Sequence, residues 1–438
     1  MDQCTFEFSG NRSATGPLTW GQQEQWNTIR RIAPEDARFN LPFLWRVSSG
    51  FSLPDVVESI RRLVEQHESL RSLITSESEE RPSQMVHRTG EATVSLCCVD
   101  EDDEPPSLAS NWVRELASRR FELSREWPVR FRILMGRANR PLWVCGAVSH
   151  IAADATAVTI MERDWNVLLG ADKDTVLASH PLQPLERAAY ENSQAGKEAL
   201  DAAVGHWRKT LHDVPRLRFG ERRTAEGDIR FPRMTLHSKS LGEIARRVAS
   251  DLGVWESAVL MSSAARAFLE MTGDNAFPMI VTCSNRLGGT AHDYVGTIAQ
   301  QGIAPMAGDV EFAHTVRRLW ASLIRMPRHS MYDPAPVAEI VDQSSGGEFF
   351  WLDHFVNHLS LPLTEDAAKA SEGADGRRGF LTEGKVESSF LRFGLMLRTY
   401  GPDAQFKLFA DNRYIGRESM RAALIRMDDL IREQGARR

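Results

Sequence analysis

Ser149-His150-Ile151-Ala152-Ala153-Asp154-Ala155 is the stretch whose residue types and spacing best suit chemistry. An imidazole titrates near neutrality, so it can take a proton from an attacking amine or hydroxyl and return it later. An aspartate four residues on, after a tight turn, need not touch that ring; it can hold the turn by pairing with an arginine. The same spacing recurs at His329 and Asp333, where no strand feeds the histidine. His354 and His358 stand four apart, as metal ligands on one helix face would. The aromatic residues around them, Phe349-Phe350-Trp351 and Phe355, instead predict a strand that separates the rings, so no metal is expected. Cys97-Cys98 raises the question of redox chemistry, but Val94 to Val99 reads as a strand with half-buried thiols. The chain carries no Walker loop, GxGxxG, GxSxG, CxxC or HExxH pattern, which disfavours the chemistries those motifs serve.

The elements that must position His150 are legible in the apolar pattern. Leu142 to Val148 is apolar on both faces and predicts a central strand ending at Ser149-His150. Before it, Val129 to Met135 alternates with Arg130 and Arg132, predicting a strand with one buried face. A helix is expected to open near Asp154, where an acidic residue suits a helix start. Helices are also predicted at Leu18–Ile32, Asp55–Arg71, Ser107–Arg120, Glu198–Leu211, Glu256–Met271, Ala313–Met326 and Arg417–Glu433. Later strands are predicted at Arg233–Ser238, Pro278–Cys283, Phe349–Phe355, Leu391–Tyr400 and Ala404–Asp411. The acidic run 100–106 and the stretch 372–384 read as loops. The stretch 170–195, with Pro181 and Pro184, reads as a connection between domains.

A length of 438 residues exceeds what one core supports, which implies two or three domains. The balance of 53 basic and 59 acidic residues, a net charge of −6, does not suggest a nucleic-acid binder. Five cysteines at irregular spacing make no disulfide framework. No signal peptide is visible, and no apolar run approaches the ~20 residues of a membrane helix, so a cytoplasmic protein is expected.

Taken together, the motifs resemble those of the condensation domains of nonribosomal peptide synthetases, within the chloramphenicol-acetyltransferase-like (HxxxD acyltransferase) superfamily. The family's HHxxxDG motif is matched by Ser149-His150 through Asp154-Ala155. Leu18-Thr19-Trp20-Gly21-Gln22 with Trp26 is similar to the opening element, and Phe39-Asn40-Leu41-Pro42 and His67-Glu68-Ser69-Leu70-Arg71 to the next two. His206-Trp207-Arg208, Ser284-Asn285-Arg286 with Val295-Gly296, and Asp411-Asn412 follow in the family's order. The resemblance implies an α+β fold: two acetyltransferase-like subdomains, 1–184 with the motif and 185–438, each a mixed sheet flanked by helices, arranged as a V around a tunnel. It implies that His150 serves catalysis and that Asp154 is structural, bridged to Arg71 or, as second candidate, Arg286. Asn357 is implied to line the site. The implied reaction joins a carrier-tethered acyl or aminoacyl thioester to an amine or alcohol acceptor, or to a second carrier-bound substrate. No intrinsic cofactor is implied, the donor riding on the phosphopantetheine arm of a separate acyl or peptidyl carrier protein; neither nucleic acid nor membrane is a partner. Ser149 replaces the motif's first histidine and Ala155 its glycine, which would matter if the turn needs a left-handed backbone there. These departures keep open a silent docking module, and the same scaffold also serves cyclisation, release or a coenzyme A donor.

Overall fold

Some helices start where side chains satisfy backbone amides that the helix leaves free. Thr19 and Gln22 form a reciprocal capping box at one helix start, and Ser52 and Asp55 form another. The computed structural model describes residues 2–75, 82–99, 110–170, 182–215, 228–286, 291–309, 311–345, 354–361, 380–387, 389 and 391–437. They divide into two compact units, Met1–Glu198 with Ser284–Gln300, and Ala199–Cys283 with Gln301–Arg438.

The first unit begins β1 (Gln3–Ser9), β2 (Ala14–Pro17), α1 (Trp20–Ile32), β3 (Leu41–Arg46) and α2 (Leu53–Gln66). It continues through β4 (Ser72–Thr75), β5 (Ser83–Val86), β6 (Thr89–Cys98), α3 (Asn111–Ala117), β7 (Val129–Met135), β8 (Pro141–Val148), α4 (Ala155–Gly170) and α5 (Pro184–Glu191). Five strands pair in the order β1-β6-β7-β8-β3, antiparallel except for β6 with β7. A small sheet, β2-β5-β4, stands beside them. Amphipathic α2 buries Val56, Ile60, Leu63 and Val64 with Ala157, Met161 and Trp165 of α4, against Trp45, Ile133 and Val144 of the sheet. Trp45 stacks on Trp165 at 5.3 Å between ring centroids.

The second unit holds α6 (Gln194–Asp213), which crosses the boundary by a few residues, then β9 (Pro232–Ser238), α7 (Leu241–Leu252), α8 (Glu256–Thr272) and β10 (Ala276–Cys283). After β11 (Gln300–Ala307) come α9 (Phe312–Arg325), α10 (Pro334–Ser345), β12 (His354–Leu361) and β13 (Phe380–Lys385). The chain closes with β14 (Phe393–Tyr400), β15 (Asp403–Ala410) and α11 (Arg417–Ala436). Seven strands run β11-β10-β12-β14-β15-β9-β13, with β12 parallel to both neighbours and β9 antiparallel to both of its own. Its core packs Leu395, Leu397, Phe406 and Leu408 under Phe268 of α8 and Leu424 of α11. The fold is therefore α+β, a mixed sheet flanked by helices in each unit.

Several sequence expectations need correction. Strand β7 is buried on both faces, because Arg130 and Arg132 reach backbone oxygens of and beside α3. Carbonyls at and just beyond the C-terminus of α3, its negative end, give the buried Arg130 guanidinium its acceptors, while Arg132 meets the Trp112 carbonyl and the Glu115 carboxylate. The expected connection between domains is partly helical, since Pro184–Glu191 forms α5; residues 171–181 lie outside the described residues. The end of the expected loop 372–384 is strand β13, while 372–379 and the acidic run 100–106 lie outside the described residues. One boundary at 184/185 was expected; the chain contacts instead pass from unit to unit at 198/199 and return 284–300 to the first.

Candidate active site

Strand β8 delivers His150 and α4 receives the chain after it. Between them the Ser149 carbonyl accepts from the amides of Ala152 and Ala153, closing a tight turn. The Ser149 amide donates to the carbonyl of Pro128, which fixes where the turn starts. Its end is fixed by Asp154, a residue only 2% exposed. Oδ1 accepts from the Ala157 amide at 2.9 Å, capping α4. Oδ2 accepts from Arg286 Nη1 at 2.7 Å and from the amides of Ile298 and Ala299 at 3.2 and 3.1 Å. Four donors account for this buried carboxylate, and none of them is His150. Asp154 acts on the ring only through its charge, the smallest of three influences on its titration.

Arg286 is itself held by the segment it belongs to. Its Nη1 also reaches the Ser284 carbonyl, and its Nη2 donates to the carbonyls of Tyr294 and Gly296. Asn285 just before it adopts φ 54°, a left-handed conformation that asparagine tolerates, and donates from Nδ2 to the Ile298 carbonyl. That turn sends the Arg286 side chain to Asp154. Gly296 lies under the ring of Tyr294, where a Cβ would come within 2.3 Å of ring atoms. From the same segment, the buried Thr297 hydroxyl donates to the His150 carbonyl.

His150 is thereby held through the main chain, by the Ser149 turn before it and by the Thr297 hydroxyl on its own carbonyl. The side chain is half-buried, and its Nδ1 is buried without a hydrogen-bond partner. Burial pushes its pKa below the ordinary imidazole value; its own backbone and then Asp154 pull weakly the other way. Burial thus favours the neutral ring, the form that can accept a proton.

Arg71 was the first expected partner of Asp154, and the structure places it elsewhere. Its guanidinium donates to the carbonyls of His87 and Arg12 and lies 3.7 Å from Glu68, beneath Gly10. Glu68 is bound in turn by Arg12. This knot ties the start of the chain to the turn after α2, pointing Arg71 away from the motif and leaving Asp154 to Arg286. Ala155 opens α4, exposed and without a positive φ, so the glycine it replaces is not required by the turn. Asn357 lies half-buried on β12 beside Met396 in the second unit. His354 and His358 share that strand; the His354 Nε2 accepts from the Ile280 amide and its ring stacks on Phe393. Sequence reasoning did not find Thr297 or the amides of Ile298 and Ala299. Val295-Gly296, matched above, was the one signal beside them.

The condensation-domain model of this family matches residues 13–377, and the chain belongs to the condensation-domain family. The chondramide synthase of Chondromyces crocatus is 22% identical over 203 residues, 45% of this chain and 5% of that protein. The chain thus spans a small fraction of such relatives. Among solved structures, the condensation domain of the monacolin K polyketide synthase superposes with a TM-score of 0.72 at 14% identity, covering 98% of this chain and 99% of that one. The condensation domain that mediates chain release from the enacyloxin polyketide synthase gives 0.73 at 16% identity, covering 98% and 84%.

Proposed function

We propose that this chain is a condensation-type acyltransferase acting in the cytoplasm in secondary-metabolite biosynthesis, of the nonribosomal peptide kind. Its donor is an acyl or aminoacyl thioester on the phosphopantetheine arm of a separate carrier protein. Its acceptor is an amine or alcohol, free or on a second carrier. The arm arrives as part of the substrate, and the protein supplies position and a base. His150 takes the proton from the acceptor nitrogen or oxygen as that atom attacks the thioester carbonyl. The tetrahedral adduct then collapses: a C–N or C–O bond has formed, the C–S bond breaks, and the proton passes to the departing thiolate. Asp154 and Arg286 hold the turn and take no proton.

One observation carries this reading: an imidazole at the end of an interior strand, the residue's carbonyl clamped by Thr297 and its turn locked by a four-donor aspartate. The test is reconstitution with an acyl-loaded carrier and a panel of amines and alcohols. Wild type should form product, and His150→Ala, folded by circular dichroism, should lose 100-fold or more, the usual scale of general base catalysis. The rate should stay flat at neutral pH and fall only on a limb below pH 6.5, because burial lowers the His150 pKa. Equal activity in His150→Ala would overturn the role of the histidine. Carrier binding with no turnover on any acceptor would make the chain a docking module instead.

A further inference from the structure

The face of the second unit's sheet opposite its main core carries cations that make no ion pair among the described residues. Along β15 the residues alternate, with Ala404, Phe406 and Leu408 in the core and Gln405 and Lys407 on the other side. Lys407 pairs in register with Met396 on β14 and Thr235 on β9. Arg398 pairs with Gln405, and Phe409 with Arg233. Arg398, Lys407 and Arg233 therefore fall on one diagonal across three adjacent strands, each about 7–8 Å from the next at the backbone. All three are half-buried.

Their hydrogen bonds are few. Among the described residues Lys407 and Arg233 make no ion pair, and Arg398 donates only to the Tyr400 hydroxyl, at 3.4 Å, with its Nε buried and unpartnered. Gln405, between Arg398 and His237 in its row, keeps a buried Oε1 without a partner while its amide meets His237 Nδ1 at 3.4 Å. Asp403 is the single acid in these rows among the described residues, and its carboxylate accepts from the Ser240 amide. The cost is visible at Lys407, whose pKa falls to about 8 through burial first and then the charges of Arg398 and Arg233. Half-buried like charges repel and lose hydration, so a fold gains nothing from this diagonal unless an anion joins it.

We propose that the Arg398–Lys407–Arg233 diagonal binds the phosphate group of a small molecule. A single carboxylate would offset one of the three charges. The Arg233 guanidinium lies over Gly384 of β13, on the outer side of β9, so Lys407 and Arg398 form the inner pair and Arg233 the outer charge. A phosphate monoester brings nearly two negative charges at pH 7 and three acceptor oxygens, which offsets more of this charge than a carboxylate does. The site stands apart from the acyl-transfer reading, because it is read out by binding alone.

The experiment is calorimetric titration of the full chain with inorganic phosphate at low salt, with acetate as comparator. Saturable phosphate binding is expected, tighter than acetate, and weakened tenfold or more in Lys407→Met and in Arg398→Gln. Lys209→Met, which removes an exposed lysine paired with Asp213, should leave it unchanged. Wild type also reports directly: phosphate should slow reductive methylation of Lys407, followed by peptide mass spectrometry, without slowing that of Lys209. This second readout holds even where a variant fails to fold. Phosphate binding equal in wild type and folded Lys407→Met, acetate binding as tight as phosphate, or methylation of Lys407 unaffected by phosphate would each overturn the assignment.

Discussion

Burial drives His150 and Glu24 of the first unit toward their neutral forms, the histidine downward and the carboxyl upward. Glu24 sits on α1, 5% exposed, and its carboxyl is pushed up to about 8 by desolvation, while its contact with the Gln300 side chain opposes the shift. The folded chain holds this proton and the unfolded chain releases it near the ordinary carboxylate value. Stability linked to Glu24 is therefore fully present below about pH 4.5 and is lost as pH rises toward 8. At roughly 1.4 kcal/mol per pKa unit, the loss amounts to several kcal/mol. Glu24→Gln keeps an acceptor for Gln300 and removes the titration. Its denaturation midpoint should exceed that of wild type at pH 9 and nearly equal it at pH 5. A gain of the same size at both values would show that the proton on Glu24 is not the cause.

The turn between β8 and α4 separates the residues that matter to the fold from those that only match a motif. Asp154→Ala removes the cap of α4 and leaves Arg286 buried against carbonyls with no counter-charge. A loss of about 3–5 kcal/mol is expected, as when one partner of a buried pair is deleted. Ala155→Gly restores the residue the family favours at an exposed helix start, where the backbone has no left-handed demand. It should cost no more than about 1 kcal/mol through backbone entropy. Urea unfolding of the two variants checks both. An Ala155→Gly protein more stable than wild type would mean that the methyl group strains the turn. The element pattern around this turn was largely legible, because β8 is apolar on both faces and α4 starts at an acidic residue. The burial of β7 was not, since Arg130 and Arg132 look like solvent-facing residues until α3 supplies acceptors for them.

At the scale of the whole molecule, the first unit is completed by seventeen residues, 284–300, that arrive after eighty-five residues of the second, 199–283. Arg286, Thr297 and the amides of Ile298 and Ala299 all lie in that returning segment. A fragment ending at Glu198 would leave Asp154 buried with one donor in place of four, a loss comparable with the ~5–15 kcal/mol that holds a typical domain together. Expressed alone, residues 1–198 should show no cooperative thermal unfolding by circular dichroism. A sharp transition near that of the full chain would mean that the returning segment decorates the unit without completing it.

The sequence by itself determined most of the longest strands and helices, the family, and His150 with Asp154 as the pair to watch. Periodicity and motif spacing are local properties, and neighbours along the chain carry them. Only the tertiary structure decided that Asp154 pairs with Arg286 and not Arg71, that Thr297 clamps His150, and that Arg398, Lys407 and Arg233 share one face of the second unit's sheet. Each depends on which distant segment lies within hydrogen-bond reach or in register across strands. A buried charge takes the partner that the packing brings to it, and no spacing within one segment specifies that partner.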